Sequence, residues 1–229
     1  MAILLLSCRG NELETRGGGL NNPPETAEDF SVAGNLSVAG ESRFSDSVRL
    51  LGAGTDYEDL RIDGLSTRTG SVAPTDETGF RGSANFYSRN LVHNQADEVQ
   101  FSVQMPHAWR AGSGIYPHVH MAPWASSTGS QTAQFQLECY NADVGDTFPA
   151  VAASYEMSTT WTTDKQWAHL IAGNDQALAM TGLELSSILK CRLYRDNTVG
   201  GNYANKVSLL YFDIHYEVDA FGSDEEYIK

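Results

Sequence analysis

The chain has 229 residues, enough for one domain-sized core with length left over for an arm or stem. A formal net charge of -14 repels the phosphate backbone, so nucleic acid is excluded as the main partner. With 41% hydrophobic and 19% charged residues and 21 glycines, the composition is that of a folded protein rich in strands and turns, which excludes wholesale disorder.

Residues 1–29 read as an N-terminal anchoring arm. Gly17-Gly18-Gly19, Asn21-Asn22 and Pro23-Pro24 suit neither helix nor strand, and the apolar lead Ile3 to Leu6 is expected to dock on another chain. Leu5-Leu6-Ser7-Cys8 fits the short pattern before a lipidated cysteine, but no basic residue precedes it and the apolar stretch is short, so no lipid anchor is expected. Nothing approaches the ~20 apolar residues of a membrane-spanning helix, and membrane insertion is not expected.

Residues 30–64 carry a six-residue repeat: Phe30-Ser-Val-Ala-Gly-Asn, Leu36-Ser-Val-Ala-Gly-Glu, Ser42-Arg-Phe-Ser-Asp-Ser and Val48-Arg-Leu-Leu-Gly-Ala. Val32, Val38, Phe44 and Leu50 share one phase, and Phe30, Leu36 and Val48 a second. Alternation within each hexad predicts short strands, and glycine or aspartate at every sixth position predicts corners. A single-chain β-helix needs several stacked coils, each closing roughly three hexads, and four hexads supply barely more than one, so a β stem this short predicts three identical chains wrapped together with those seven residues as the trimer interface. The alternative is a meander packed on the downstream domain.

Residues 65–96 read as a neck or linker. From Asp97 the alternation strengthens, with Val99, Phe101, Val103 and Met105 on one face. Further runs at 118–121, 132–140, 151–157, 166–171, 188–194 and 207–218, separated by Gly, Asn and Asp clusters, predict an all-β, two-sheet, jelly-roll-like sandwich over 97–229, with one short helix conceivable around 183–189. Cys139 and Cys191 fall on apolar phases and read as buried thiols; the odd count of three cysteines indicates no disulfide framework.

One motif could bind metal. In Tyr116-Pro-His118-Val-His120, period two puts both imidazoles on one face of a strand. His215, in Asp213-Ile-His215-Tyr-Glu217, shares a face with Asp213 and Glu217. If the two segments pair, His118, His120 and His215 with Glu217 or Asp213 resemble the metal face of cupins, although Met121-Ala-Pro-Trp124 lacks the glutamate that normally follows. A structural metal ion is therefore a possible cofactor and no other is indicated. No GxSxG, P-loop, Rossmann or HExxH pattern occurs, and the chain reads as non-enzymatic. Trp109, Trp124, Trp161 and Trp167 read as core or interface residues before sugar platforms.

The segments Met105-Pro-His-Ala-Trp109, Gly114-Ile-Tyr-Pro-His-Val-His120, Cys191-Arg-Leu-Tyr-Arg-Asp196 and Leu210-Tyr-Phe-Asp-Ile-His-Tyr-Glu217 resemble a family of tailed-phage proteins. The hexads separately resemble the stems of phage fibres. The resemblance implies a trimeric virion protein, a capsid decoration, fibre or tail-associated appendage, whose partners are its own copies, capsid or tail proteins and a host glycan. The competing readings are a cupin-like metal-binding protein or enzyme and a carbohydrate-binding module.

Overall fold

The computed structural model describes residues 6–9, 12–15, 56–93, 97–195 and 201–222. The chain divides into two compact units, Met1–Asp46 and Ser47–Lys229. In the first, β1 (Leu6–Arg9) pairs antiparallel with β2 (Glu12–Thr15), so part of the arm is strand. The seven predicted interface residues, Phe30, Val32, Leu36, Val38, Phe44, Val48 and Leu50, lie outside the described residues.

The second unit is a sandwich of two antiparallel sheets, as the alternation predicts. One sheet orders β10 (Ala153–Trp161), β9 (Gln131–Ala142), β12 (Ile188–Arg195), β7 (Glu98–Gln104) and β4 (Arg68–Thr69). The other orders β11 (Leu170–Ala172), β8 (Ile115–Pro123), β13 (Val207–Val218), β6 (Ser83–Leu91) and β5 (Thr75–Phe80), with β3 (Asp56–Asp63) also paired to β13. The domain therefore begins well before residue 97. Asp56–Asp63, expected at the end of the stem, pairs with Tyr211–Val218, and β4, β5 and β6, expected in the neck, belong to the two sheets.

Inward positions of the two sheets meet in one core. Val99, Phe135, Leu137, Met157 and Leu193 from one sheet face Val119, Met121, Phe212 and Ile214 from the other, all essentially inaccessible. Phe101 and Phe212 pack across the sandwich with ring centroids 4.8 Å apart. Each such side chain contributes about 1.5–3 kcal/mol through burial. Trp109 and Trp161 are core residues.

Cys139 and Cys191 occupy the buried phase as expected, but they are directly opposite in the β9–β12 register and form a disulfide. The expectation of free thiols is corrected by that register. The segment 183–189, where the sequence allowed at most one short helix, is a turn leading into β12; the helical element among the described residues is the 3-10 turn Gly64–Ser66. Gly64 is required there, since a Cβ would collide with the Leu209 carbonyl oxygen of β13. The predicted strand at 166–171 shrinks to Leu170–Ala172.

One irregularity sets up the outer face of the second sheet. The β8–β13 register shifts between Leu209 and Tyr211, leaving Leu210 as an extra residue. Before this bulge Val207 and Leu209 point inward; after it Phe212, Ile214, Tyr216 and Val218 do. The parity change turns Tyr211, Asp213 and His215 outward, onto the face that carries His118 and His120.

Candidate metal centre on the outer sheet face

The register decides which side chains meet. Asp213 lies opposite His118 of β8 and Arg61 of β3; Tyr211 lies opposite His120, which in turn faces Ile171 of β11; His215 lies opposite Tyr116 and Asp59. Asp59, Arg61, His118, His120, Ile171, Tyr211, Asp213 and His215 thus line a depression of about 400 Å³.

At its floor His120 Nε2 lies 3.4 Å and His118 Nε2 3.8 Å from Asp213 Oδ2. One ligand atom from each of His118, His120 and Asp213 falls within a 4.8 Å span, compact enough to hold a single ion. Both rings are oriented through their other nitrogen. His118 Nδ1 is 3.4 Å from the Tyr116 carbonyl oxygen, and His120 Nδ1 is 2.6 Å from His169 Nε2. Fixing Nδ1 leaves Nε2 as the atom presented inward, the arrangement that metal-binding imidazoles use. His120 Nε2 and Asp213 Oδ1 are buried without a hydrogen-bond partner.

Burial of His118 and His120 pushes both imidazoles below the usual histidine pKa, against the opposing pull of the Asp213 charge. Both are therefore held neutral at pH 7, the form that coordinates metal.

The sequence named His118, His120 and His215 as the ligand set, with Asp213 or Glu217 beside them. The structure brings Asp213, rather than His215, into the compact triad. His215 packs against His118 with ring centroids 4.4 Å apart, but its Nε2 is 2.7 Å from Asp59 Oδ1. Glu217 lies farther along β13 and pairs with Arg110 at 3.0 Å.

Sequence reasoning missed Asp59, Arg61, Tyr211 and His169. The alternation in Asp59-Leu-Arg-Ile-Asp63 marks Asp59 and Arg61 as one strand face, a usable signal; His169 is a lone loop residue with none. Its loop is pinned by Trp167, whose backbone N–H donates to the Pro123 carbonyl at 2.9 Å and whose ring packs against Trp124 and Phe80. Trp167 adopts a left-handed backbone with φ of 61°, a conformation that costs about 1–2 kcal/mol and persists because these contacts hold it.

No protein-family model matches the chain, and no curated protein does. Solved structures do. They include the carbohydrate-binding module CBM36 in complex with calcium and xylotriose (15% identity, TM-score 0.38, covering 68% of this chain and 98% of that one). They also include the CBM35 from Cellvibrio japonicus Abf62 (14%, 0.39, 69% and 92%) and the C-terminal CBM6 of LamC from Zobellia galactanivorans (8%, 0.37, 69% and 98%). The expectation of a tailed-phage virion protein is corrected by this result: the structures that match are carbohydrate-binding modules. At these identities the likeness concerns the sandwich fold, and the ligands of those modules stay with them. Among the described residues no helix is long and apolar enough to cross a membrane.

Proposed function

We propose that this chain is a non-catalytic binding domain that holds a divalent transition-metal ion on His118, His120 and Asp213 and takes carbohydrate hydroxyls into the ion's open positions. The observation that carries this reading is the pair of buried, unpartnered atoms, His120 Nε2 and Asp213 Oδ1, in the compact triad. A buried polar atom without a partner costs about 1–3 kcal/mol, which a bound ion offsets. Two imidazole nitrogens and one carboxylate oxygen suit a first-row ion such as Zn²⁺, Ni²⁺ or Co²⁺, whereas Ca²⁺ takes an all-oxygen shell. Three protein ligands leave positions for an outside donor.

The depression opens on the sheet surface, where Tyr211 and Ile171 stand about half exposed on its rim. A ring face and an aliphatic side chain flanking a Lewis acid suit a ligand with one apolar face and adjacent hydroxyls, which is the chemistry of a sugar. Asp59 is committed to His215 and Arg61, and Glu217 to Arg110, so these carboxylates serve the site as structure.

Isothermal titration of the full chain with Zn²⁺, Ni²⁺ and Ca²⁺, followed by electrophoresis through polysaccharide-containing gels with and without chelator, tests the proposal. The expected result is one transition-metal ion per chain, little Ca²⁺ binding, and retardation by a polysaccharide that chelator abolishes. No stoichiometric binding of any transition metal overturns it.

A further inference from the structure

Resting on that metal-binding reading, we infer that the ligand completing the ion's coordination is a hydroxycarboxylate, such as a uronic-acid unit, and that Arg61 is its second anchor. Arg61 stands on the rim of the depression, its side chain 65% exposed, with Nε 3.7 Å from Asp213 Oδ2. Its firmest partner, Asp59 at 3.0 Å, also accepts His215 at 2.7 Å. A divalent ion at the triad therefore sits beside a guanidinium, with Asp213 and the shared Asp59 as the nearby carboxylates. The ion-loaded depression is positive, on a chain whose net charge is -14.

Two cations converging on one carboxylate call for a further anion between them. A carboxylate with an adjacent hydroxyl meets the requirement: one carboxylate oxygen and the hydroxyl chelate the ion at neighbouring positions, and the second carboxylate oxygen accepts from the outward guanidinium N–H groups. Asp213 Oδ1, buried without a hydrogen-bond partner, belongs to the carboxylate that lines this same depression. Tyr211, 44% exposed on the rim, provides the flat wall for the ring that carries the carboxylate.

The test titrates the Zn²⁺-loaded full chain with oligogalacturonate, with the same oligomer methyl-esterified, and with glycolate. The acid form is expected to bind roughly tenfold or more tighter than the ester, the difference that a charge-assisted contact makes. Arg61→Gln should erase the preference and Arg61→Lys restore part of it, with Zn²⁺ loading in the same titration reporting that the site is intact. Glycolate binding as tightly as the oligomer supports the chemistry and assigns its source to a free hydroxy acid; weaker glycolate binding assigns it to a sugar chain. Equal binding of acid and ester, or an Arg61→Gln variant that keeps the acid preference, overturns the inference while leaving the metal site standing. A wild-type chain that takes up no ion overturns both.

Discussion

Asp213→Asn separates a metal ligand from a structural ion pair, because the two roles predict opposite effects in the absence of metal. Asp213 is 4% exposed and its Oδ1 has no partner. The permanent cation within reach is Arg61, at 3.7 Å and on the rim, a pairing of the exposed type worth about 0–1 kcal/mol. His118 and His120 balance little of the charge, since burial holds them toward their neutral forms. Against this modest gain stands the cost of an unsatisfied buried acceptor, about 1–3 kcal/mol. The amide should therefore leave the metal-free protein unchanged or up to about 2 kcal/mol more stable. With free Zn²⁺ at about one hundred times its dissociation constant, the wild type gains about 2.7 kcal/mol, which in a domain of this size raises Tm by about 5–10 °C. Most of that rise should vanish in the variant, which lacks the anionic ligand. Differential scanning calorimetry of both proteins, in chelator and in Zn²⁺, reads all four values. A variant that melts several degrees lower in chelator yet still gains the full Zn²⁺ shift would show that Asp213 is structural.

His118→Ala and His120→Ala should each abolish stoichiometric Zn²⁺ binding, whereas His215→Ala, outside the compact triad, should keep it within about tenfold, the smaller end of the effect of removing a supporting group; competition with a chromogenic chelator reads the affinities. Because His118 and His120 have depressed pKa values, the unfolded chain binds more protons than the folded one between their folded values and about 6.5, so metal-free stability should rise with pH across that window and fall as pH drops through it, as urea midpoints at pH 5 and 7 will measure. Closing a loop of 52 residues, the Cys139–Cys191 disulfide restricts the unfolded chain by about 4 kcal/mol, so Cys139→Ala/Cys191→Ala or full reduction should lower the urea midpoint; an unchanged midpoint would refute the chain-entropy account.

The sandwich was legible wherever one strand alternates against a dry core. Val99 to Met105, Phe135 to Cys139, Leu189 to Leu193 and Phe212 to Val218 each announce their inward face, and each forms a strand with that face buried. Partnership was not legible. β3 is expected at the end of the stem because its outward residues, Asp59, Arg61 and Asp63, announce no partner, and that partner on β13 is 160 residues away at the Tyr57–Glu217 contact. β5 and β6 look like linker because Ser83 to Tyr87 are largely exposed, and an exposed hairpin carries no apolar period to read. The same limit hid the disulfide: each cysteine's phase was readable, but that Cys139 stands opposite Cys191 is a matter of register between strands. At the candidate metal site, period two sufficed to put His118 beside His120 and Asp213 beside His215. Which of the β13 residues completes the triad depends on a pairing that no local pattern encodes.

The two outer faces of the sandwich carry depressions of similar size whose electrostatics differ. On the first sheet, Arg192 bridges Glu98 at 2.8 Å and Glu138 at 3.0 Å, while Ser71 and Tyr194 supply further donors to the same two carboxylates. That face, with its depression of about 370 Å³ lined by Gln100, Glu138, Tyr140, Lys190, Cys191 and Arg192, has its two carboxylates answered by Arg192 and neighbouring hydroxyls. On the second sheet the buried carboxylate of Asp213 faces two imidazoles held neutral, and a lone pair and a ring nitrogen remain without partners. Buried polar groups in folded proteins are nearly all paired, and local rules are broken chiefly where function requires it. Single buried polar atoms of Asn90, Asp97, Gln134 and Arg195 also lack partners, but His120 Nε2 and Asp213 Oδ1 fall together in one compact triad, on the face onto which the Leu210 bulge turns Asp213.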